Sequence, residues 1–526
     1  MHLTKIPQII RAISLSILLA FFGILPPLWL WAADPSHSPN FIEQVKIQAQ
    51  ALEHDSDRLR KFQSDGLQAF EGVNSVSPAP LVLSQAEYQK IKGELSLIVQ
   101  SLSAFYEDHF SGRKSYLKSK LIPQQLVNVI LQDFYYHQSG NSFLGGEKEY
   151  YAEEIPNPTI EQVSPNAGFI AGGPDLVFTP EGPKILELNM SFNLGGLASI
   201  DATRSFMVQH GGELGNLLRG AYTDKAFIRS FYQYSLERAK QHDGIPVFVS
   251  VNEKRVPEEM RPVLRRANQM MAEAGFEILS LPSSDLLGLE KNLPSSHELI
   301  EESDGIYIRS RRDKAKKKVG FIVPYTSVKN FTMSDWTRPL VRANRNRTLD
   351  MIITPGAEIF GDKRFLPYLE KLVEFYTGQT LSMTPPETHL FFDFEKGEIN
   401  QKLLEEITHH PENWVVKTGT GSGGKEVWLG NHLAGNPQEL SELKKEIEKT
   451  PELFLAQKMV RIDPKGDLRL VVAGSRKKVY VSPTGWSRKV YPGEKSKTSG
   501  KIGEAVFNAV FVASGTKALM CSKAHQ

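Results

Sequence analysis

The 526-residue chain is predicted to be a mixed α/β (α+β) protein, and three observations carry that prediction. Apolar residues recur at spacings of three and four through about 40–140, as in YQKIKGELSLIVQSLSAFYEDHF, which is the period of helices. The run IPVFVSV, the helical stretch PEEMRPVLRRANQMMAEAG and the run FEILSLP then read as strand, helix and strand. Beyond about residue 361, short β-branched and aromatic runs alternate with amphipathic ones.

Taken in order, residues 1–33 open with Lys5 and Arg11, an apolar run from Ala12 to Leu25, Pro26-Pro27 and LWLWAADP. This layout is that of an export signal, and the run is also about long enough to remain as a membrane anchor, roughly 20 apolar residues being needed. Its positive flank predicts that the rest of the chain faces away from the cytoplasm. Residues 40–150 form the helical N-terminal region. Within 151–242, DLVFT and KILELN flank the turn PEGP and predict a hairpin. Residues 243–355 form a small α/β domain in which GIYIRS and LDMIITP supply further strands, and the basic run Arg309 to Lys318 reads as a solvated loop. In 356–515 the order is helix KRFLPYLEKLVEFYTG, strand WVVKT, a glycine-rich stretch, strand EVWLG, helix PQELSELKKEIEKT and strand LFLAQKMV. The strands DLRLVVAG and KVYVSPT follow as an antiparallel pair, and 516–526 is a tail.

Composition narrows the chemistry. Sixty-two Lys and Arg against 60 Asp and Glu leave a formal charge of +2, so no global field draws the chain to nucleic acid. The single cysteine, Cys521, forms no internal disulfide, and no CxxC or HExxH suggests zinc. No Cys/His or Ser/His/Asp arrangement suggests an enzyme nucleophile. The adjacent His409 and His410 read as the end of a surface helix.

The stretch WVVKTGTGSGGKEVWLG contains G-x-x-x-x-G-K from Gly419 to Lys425 and G-x-G-x-x-G at Gly419, Gly421 and Gly424. A phosphate loop needs a hydroxyl residue after its lysine and a helix directly behind it. Here Glu426 occupies that position and a strand follows, so the phosphate-loop and dinucleotide readings both fail. The kinase reading lacks its HRD and DFG motifs. What distinguishes the stretch is Lys417, on the strand entering the glycines.

A second cluster lies far upstream. Glu187 and Asn189 are two apart on a strand and leave the same face, and Asp175 is within cross-strand reach over the PEGP turn. Two carboxylates and an amide are hard oxygen donors, of the kind magnesium takes together with phosphate oxygens.

Together these stretches resemble the ATP-grasp superfamily over roughly Val163 to Ala513. The lysine strand and glycine hairpin resemble its mobile flap, LFLAQKMV its hinge strand, GDLRLVV its next strand, and D…E-x-N its metal site. In most members the E-x-N strand follows the glycine loop. Here it precedes it by more than two hundred residues, which resembles the circularly permuted branch that includes the glutathionylspermidine-synthetase-like ligases. The run TLDMIITPGAEIFGDKRFLPYL resembles the segment leading to that branch's first phosphate lysine, and YVSPTGWSRKV with KTSGKIG resembles its arginine-bearing strand. The arginine often found two residues before the metal-site aspartate is Gly173 in this chain.

The resemblance implies a circularly permuted ATP-grasp fold with an inserted small α/β domain of the pre-ATP-grasp kind and a helical N-terminal region. It implies ATP and Mg2+ as cofactors. Asp175, Glu187 and Asn189 would hold the metal. Lys363, Lys417, Gly419, Gly421, Ser422, Gly423, Gly424, Lys425 and Gln457 would bind nucleotide, the last near adenine and ribose. Arg469 and Arg488 would stabilise developing charge, with Asp467 nearby. The implied function is ATP-dependent carboxylate–amine ligation through an acyl phosphate, on small-molecule or peptide carboxylates and amines. The alternatives are an exported binding protein that keeps the architecture without turnover, and phosphotransfer to another acceptor. Export and ATP use pull in opposite directions, since ATP favours access to the cytoplasm.

Overall fold

The computed structural model describes residues 38–69, 75–136, 168–190, 196–219, 225–251, 261–281, 297–310, 314–324, 338–352, 357–420, 426–463, 465–489 and 506–513. The segment read as a signal or anchor lies outside them. Among the described residues no helix is long and apolar enough to cross a membrane.

The largest sheet has eight strands and draws on both ends of the chain. Asp175–Thr179 and Gly182–Glu187 form the expected hairpin, Asp175–Thr179 pairs with Asp467–Gly474, and that strand pairs with Val479–Lys489, all antiparallel. Val506–Val512 follows, flanked in parallel by Ser75–Val76 and Leu81–Leu83 from the otherwise helical N-terminal region. One rung across this sheet runs Glu187, Asp175, Arg469, Trp486, Ala509. The sheet therefore places side by side residues almost three hundred positions apart in the chain.

The helix Gln85–Phe110 covers this sheet. It starts at a reciprocal cap, Glu87 N donating to Ser84 Oγ at 3.2 Å and Ser84 N donating to the Glu87 carboxylate at 2.9 Å. Its residues Ile91, Leu95, Ile98, Leu102 and Phe105 recur on one face and are buried in the main core.

The 243–355 region contains a six-stranded sheet. Ile245–Val251 lies in parallel between Glu277–Leu281 and Lys316–Pro324, and an antiparallel hairpin, His297–Glu302 with Gly305–Ser310, extends it. Of the basic run read as a loop, residues 309–310 and 316–318 lie at the ends of two paired strands. Its charges are matched across the sheet: Arg309 meets Glu298, Lys316 meets Glu302, Lys317 meets Glu277, and Lys318 meets Asp304.

A four-stranded sheet, in the order Thr388–Leu390, Phe454–Lys458, Trp414–Thr418, Val427–Leu429, carries the lysine strand. Alternation decides which residues face the site. Trp414, Val416, Phe454 and Ala456 turn toward the buried apolar residues of helices Gln401–His409 and Pro437–Lys449. Lys417 and Gln457 therefore emerge on the opposite face.

Candidate active site

Lys417 pairs with Leu455 and Val415 with Gln457, so Gln457 lies on the diagonal from Lys417 and on the same face. Lys417 Nζ donates to Gln457 Oε1 at 2.5 Å. Lys417 is 9% exposed and Gln457 2%. Burial pushes the ammonium's pKa down; Glu187 opposes this, Lys363 adds to it and Asp175 opposes it, leaving a value of about 8. The Gln457 amide bonds the lysine through Oε1 and Thr388 through Nε2, which lies 3.2 Å from Thr388 Oγ1.

Lys363 opens a short 3-10 helix, Lys363–Tyr368, capped by Asp362. The Asp362 carboxylate accepts from Arg364 N at 2.8 Å, Nε at 3.0 Å and Nη2 at 2.7 Å, and this pair is almost wholly buried. Arg364 Nη1 also donates to the Glu452 carbonyl at 2.9 Å. The clamp fixes the backbone on both sides of Lys363, whose Nζ lies 3.2 Å from Glu187 Oε2.

The clamp also seats the start of the glycine stretch. Lys363 N donates to Gly419 O at 3.0 Å and Gly419 N to Leu453 O at 2.9 Å. A Cβ at Gly419 would stand 2.5 Å from Arg364 Nε and 2.7 Å from Asp362 Oδ1. Gly419→Ala is therefore expected to destabilise the fold by about 1–3 kcal/mol, as overpacking does, and to lower nucleotide affinity. Thermal unfolding with and without ATP checks both.

Around the hairpin, Asn189 Nδ2 donates to Glu187 Oε1 at 2.7 Å and lies 3.3 Å from Asp175 Oδ2. Asn189 sits at φ +48°, a left-handed conformation that asparagine tolerates better than most residues. Gly172 allows the approach, since a Cβ there would stand 2.4 Å from Asn189 O. Glu187 is pushed up by burial. The charge of Lys363, side-chain hydrogen bonding with Asp175 and Asn189, and the charge of Lys417 together outweigh this and hold it well below the usual carboxylate range.

Arg469 grips Asp175 in a fork, Nε to Oδ1 at 2.5 Å and Nη2 to Oδ2 at 2.6 Å, and lies 3.9 Å from Glu187 Oε1. Its guanidinium also stands 5.0 Å from the Trp486 ring centroid. Three cations, Lys363, Lys417 and Arg469, surround two carboxylates and an amide, an excess of positive charge suited to a polyanion.

Among the described residues no three His, Cys, Asp or Glu side chains group as a metal cage. The donors present, Glu187, Asp175 and the Asn189 amide, fit magnesium, which takes one or two carboxylates and completes its shell with water and phosphate. Lys363 and Arg469 compensate those carboxylates in this structure.

Gly421, Ser422, Gly423, Gly424 and Lys425 lie outside the described residues, as does KTSGKIG. Arg488 is on the strand Val479–Lys489, two positions from Trp486, with its backbone paired to Phe507. Asp467 is buried, two residues before Arg469 on the same strand. The sequence reading passed over Asp362, Arg364, Thr388 and Trp486. Asp362 had a local signal, an acidic cap two residues before an arginine; Thr388 had none.

Residues 330–493 match the family described as circularly permuted ATP-grasp type 2. A putative glutamate–cysteine ligase 2-2 from Frankia casuarinae is 27% identical over 124 residues, 24% of this chain and 13% of that protein. The chain thus matches only a small part of that relative's length. Among solved structures, a glutathione synthetase-like effector from Globodera pallida, in its apo form, is 12% identical with a TM-score of 0.49, covering 88% of this chain and 99% of the other. D-alanyl-alanine synthetase A from Vibrio cholerae is 13% identical with a TM-score of 0.30, covering 53% and 78%. A putative gamma-glutamylcysteine synthetase from Methylobacillus flagellatus is 10% identical with a TM-score of 0.31, covering 61% and 76%. The family match thus assigns residues 330–493, the part of the chain that holds Lys363, Lys417 and Arg469, to the circularly permuted ATP-grasp type 2 family.

Proposed function

We propose that this protein is an ATP-dependent ligase that joins a carboxylate to an amine, releasing ADP and phosphate. The observation that carries the reading is the convergence of Lys363, Lys417 and Arg469 on the Glu187, Asp175 and Asn189 cluster, from segments scattered over almost three hundred residues. The name of the Frankia casuarinae relative, a glutamate–cysteine ligase, agrees with amide formation between amino-acid substrates. The divisions 151–242, 243–355 and 356–515 are proposed as the first part of the nucleotide fold, the inserted α/β domain and the nucleotide-binding part.

In this reading Lys417 and Lys363 bind and orient the ATP phosphates, and the glycine stretch that follows Gly419, up to Gly424, would add backbone N–H donors. Glu187 and Asn189, with Asp175, would hold Mg2+, which when bound offsets the charge of the β and γ phosphates. Arg469, already aligned by Asp175 and Trp486, faces the place where charge develops as a substrate carboxylate takes the γ-phosphoryl group. An amine then displaces phosphate from the acyl phosphate. No side chain of the chain forms a covalent bond.

Purified protein incubated with ATP, Mg2+ and panels of amino acids and short peptides is expected to release ADP only when a carboxylate and an amine are both supplied. ADP release with an alcohol acceptor alone would point to phosphotransfer instead. No binding of ATP with Mg2+ would remove both readings.

A further inference from the structure

We infer that Gln457 and Thr388 are positioning residues that hold Lys417 on the nucleotide phosphates, a role that rests on the proposed ATP-dependent activity. The chain of bonds has a direction. Thr388 has one hydroxyl proton, and it goes to the Pro386 carbonyl at 2.6 Å. Its oxygen therefore accepts from Gln457 Nε2 at 3.2 Å. That choice fixes the amide, leaving Oε1 as the only end facing Lys417, which donates to it at 2.5 Å. A flipped amide would set an NH2 group against the ammonium.

The three residues sit on three adjacent strands, Thr388–Leu390, Phe454–Lys458 and Trp414–Thr418, with Thr388 directly opposite Gln457. The relay thus steps diagonally from Lys417 to Gln457, crosses directly to Thr388 and ends on a backbone carbonyl, so each member is held by the ladder beneath it. Glu187, Lys363 and Asp175 act on the same ammonium through their charge. Among the interactions described for Lys417, the Gln457 bond is the hydrogen bond that sets where its Nζ points.

A lysine aimed this way touches phosphate and not purine, and the two roles separate in binding. Gln457→Leu is expected to weaken ATP binding, measured with Mg2+ present, about 10- to 100-fold, the range for a hydrogen bond to a charged group. Adenosine affinity should stay within about twofold, because the relay reaches no part of the nucleoside. Gln457→Glu keeps an acceptor toward Lys417 but loses the donor toward Thr388 and adds a negative charge beside the phosphates, so it too should weaken ATP binding and leave adenosine affinity unchanged. Thr388→Val should weaken ATP binding several-fold in the wild-type background and add nothing in the Gln457→Leu background, because Thr388 acts through Gln457.

Equal losses for adenosine and ATP would return Gln457 to the purine site and overturn the relay. Additive losses in the double variant would overturn it too, as would wild-type ATP affinity in Gln457→Leu. Thermal unfolding of each variant identifies a general loss of fold, which would lower the binding-competent fraction without changing affinity. Failure of the wild-type protein to bind ATP would remove the proposed function itself, an outcome distinct from failure of the relay alone.

Discussion

Lys417→Met is expected to abolish ATP-dependent turnover, by about 10³-fold or more, while making the protein more stable. The two effects share one cause. Burial of the ammonium lowers its pKa from 10.5 to about 8, so the folded state holds the charge at a cost. Between those values the unfolded chain binds more protons than the folded one, and this group's penalty fades as pH rises. Below about pH 8 the penalty is full, and removing it is worth at most about 3 kcal/mol, less what Gln457 loses with its partner. The gain in Tm for Lys417→Met should therefore be largest near neutral pH and vanish in alkali. Phosphate favours the charged lysine, so wild-type ATP affinity should fall as pH rises past about 8, with proton uptake on binding. Calorimetry in buffers of different protonation enthalpy measures that uptake. An affinity flat across this range would remove Lys417 from the phosphate site.

Glu187→Gln is expected to cost turnover as heavily, for the opposite reason. The carboxylate offsets Lys363 and Lys417, and its low pKa means that its stabilising contribution is present above the usual carboxylate pKa and lost only as pH falls through the depressed value. The neutral amide leaves Lys363 without the partner at 3.2 Å and lowers stability by about 1.5–3 kcal/mol at neutral pH. It also removes the negative charge that a divalent cation needs. Kinetics across Mg2+ concentrations should show activity that saturating Mg2+ does not restore, and unfolding should show the stability loss in acid-to-neutral buffers. Wild-type Mg2+ dependence in this variant would place the metal elsewhere.

Much of the site was legible because its motifs are local. The E-x-N spacing predicts Glu187 and Asn189 on one face of a strand; the strand ends at Glu187, and Asn189 follows in a left-handed conformation from which its amide still reaches the Glu187 carboxylate. The strand, glycine and strand pattern predicts the pairing of Trp414–Thr418 with Val427–Leu429, which is present. Lys417 followed from its place before the glycines, and alternation alone sends it away from Trp414 and Val416. The reading was weaker where a residue's role depended on a distant partner. Gln457 was expected near adenine and ribose, and its bond to Lys417 on the neighbouring strand had no local signal. The basic run from Arg309 was expected in a loop, and its partners Glu298, Glu302, Glu277 and Asp304 come from other segments.

By itself, then, the amino-acid sequence determined the elements, the chemical types and the faces on which side chains emerge, because periods of two and 3.6 residues are properties of a single segment. Only the tertiary structure decided that Asp175 would meet Arg469, that Lys363 would reach Glu187, and that strands at 75–83 would pair with Val506–Val512. Strand partners are chosen by burial and hydrogen bonding over the whole chain, so no local pattern names them. The fork of Arg469 on Asp175 is the sharpest case, a charge supplied through space from almost three hundred residues away.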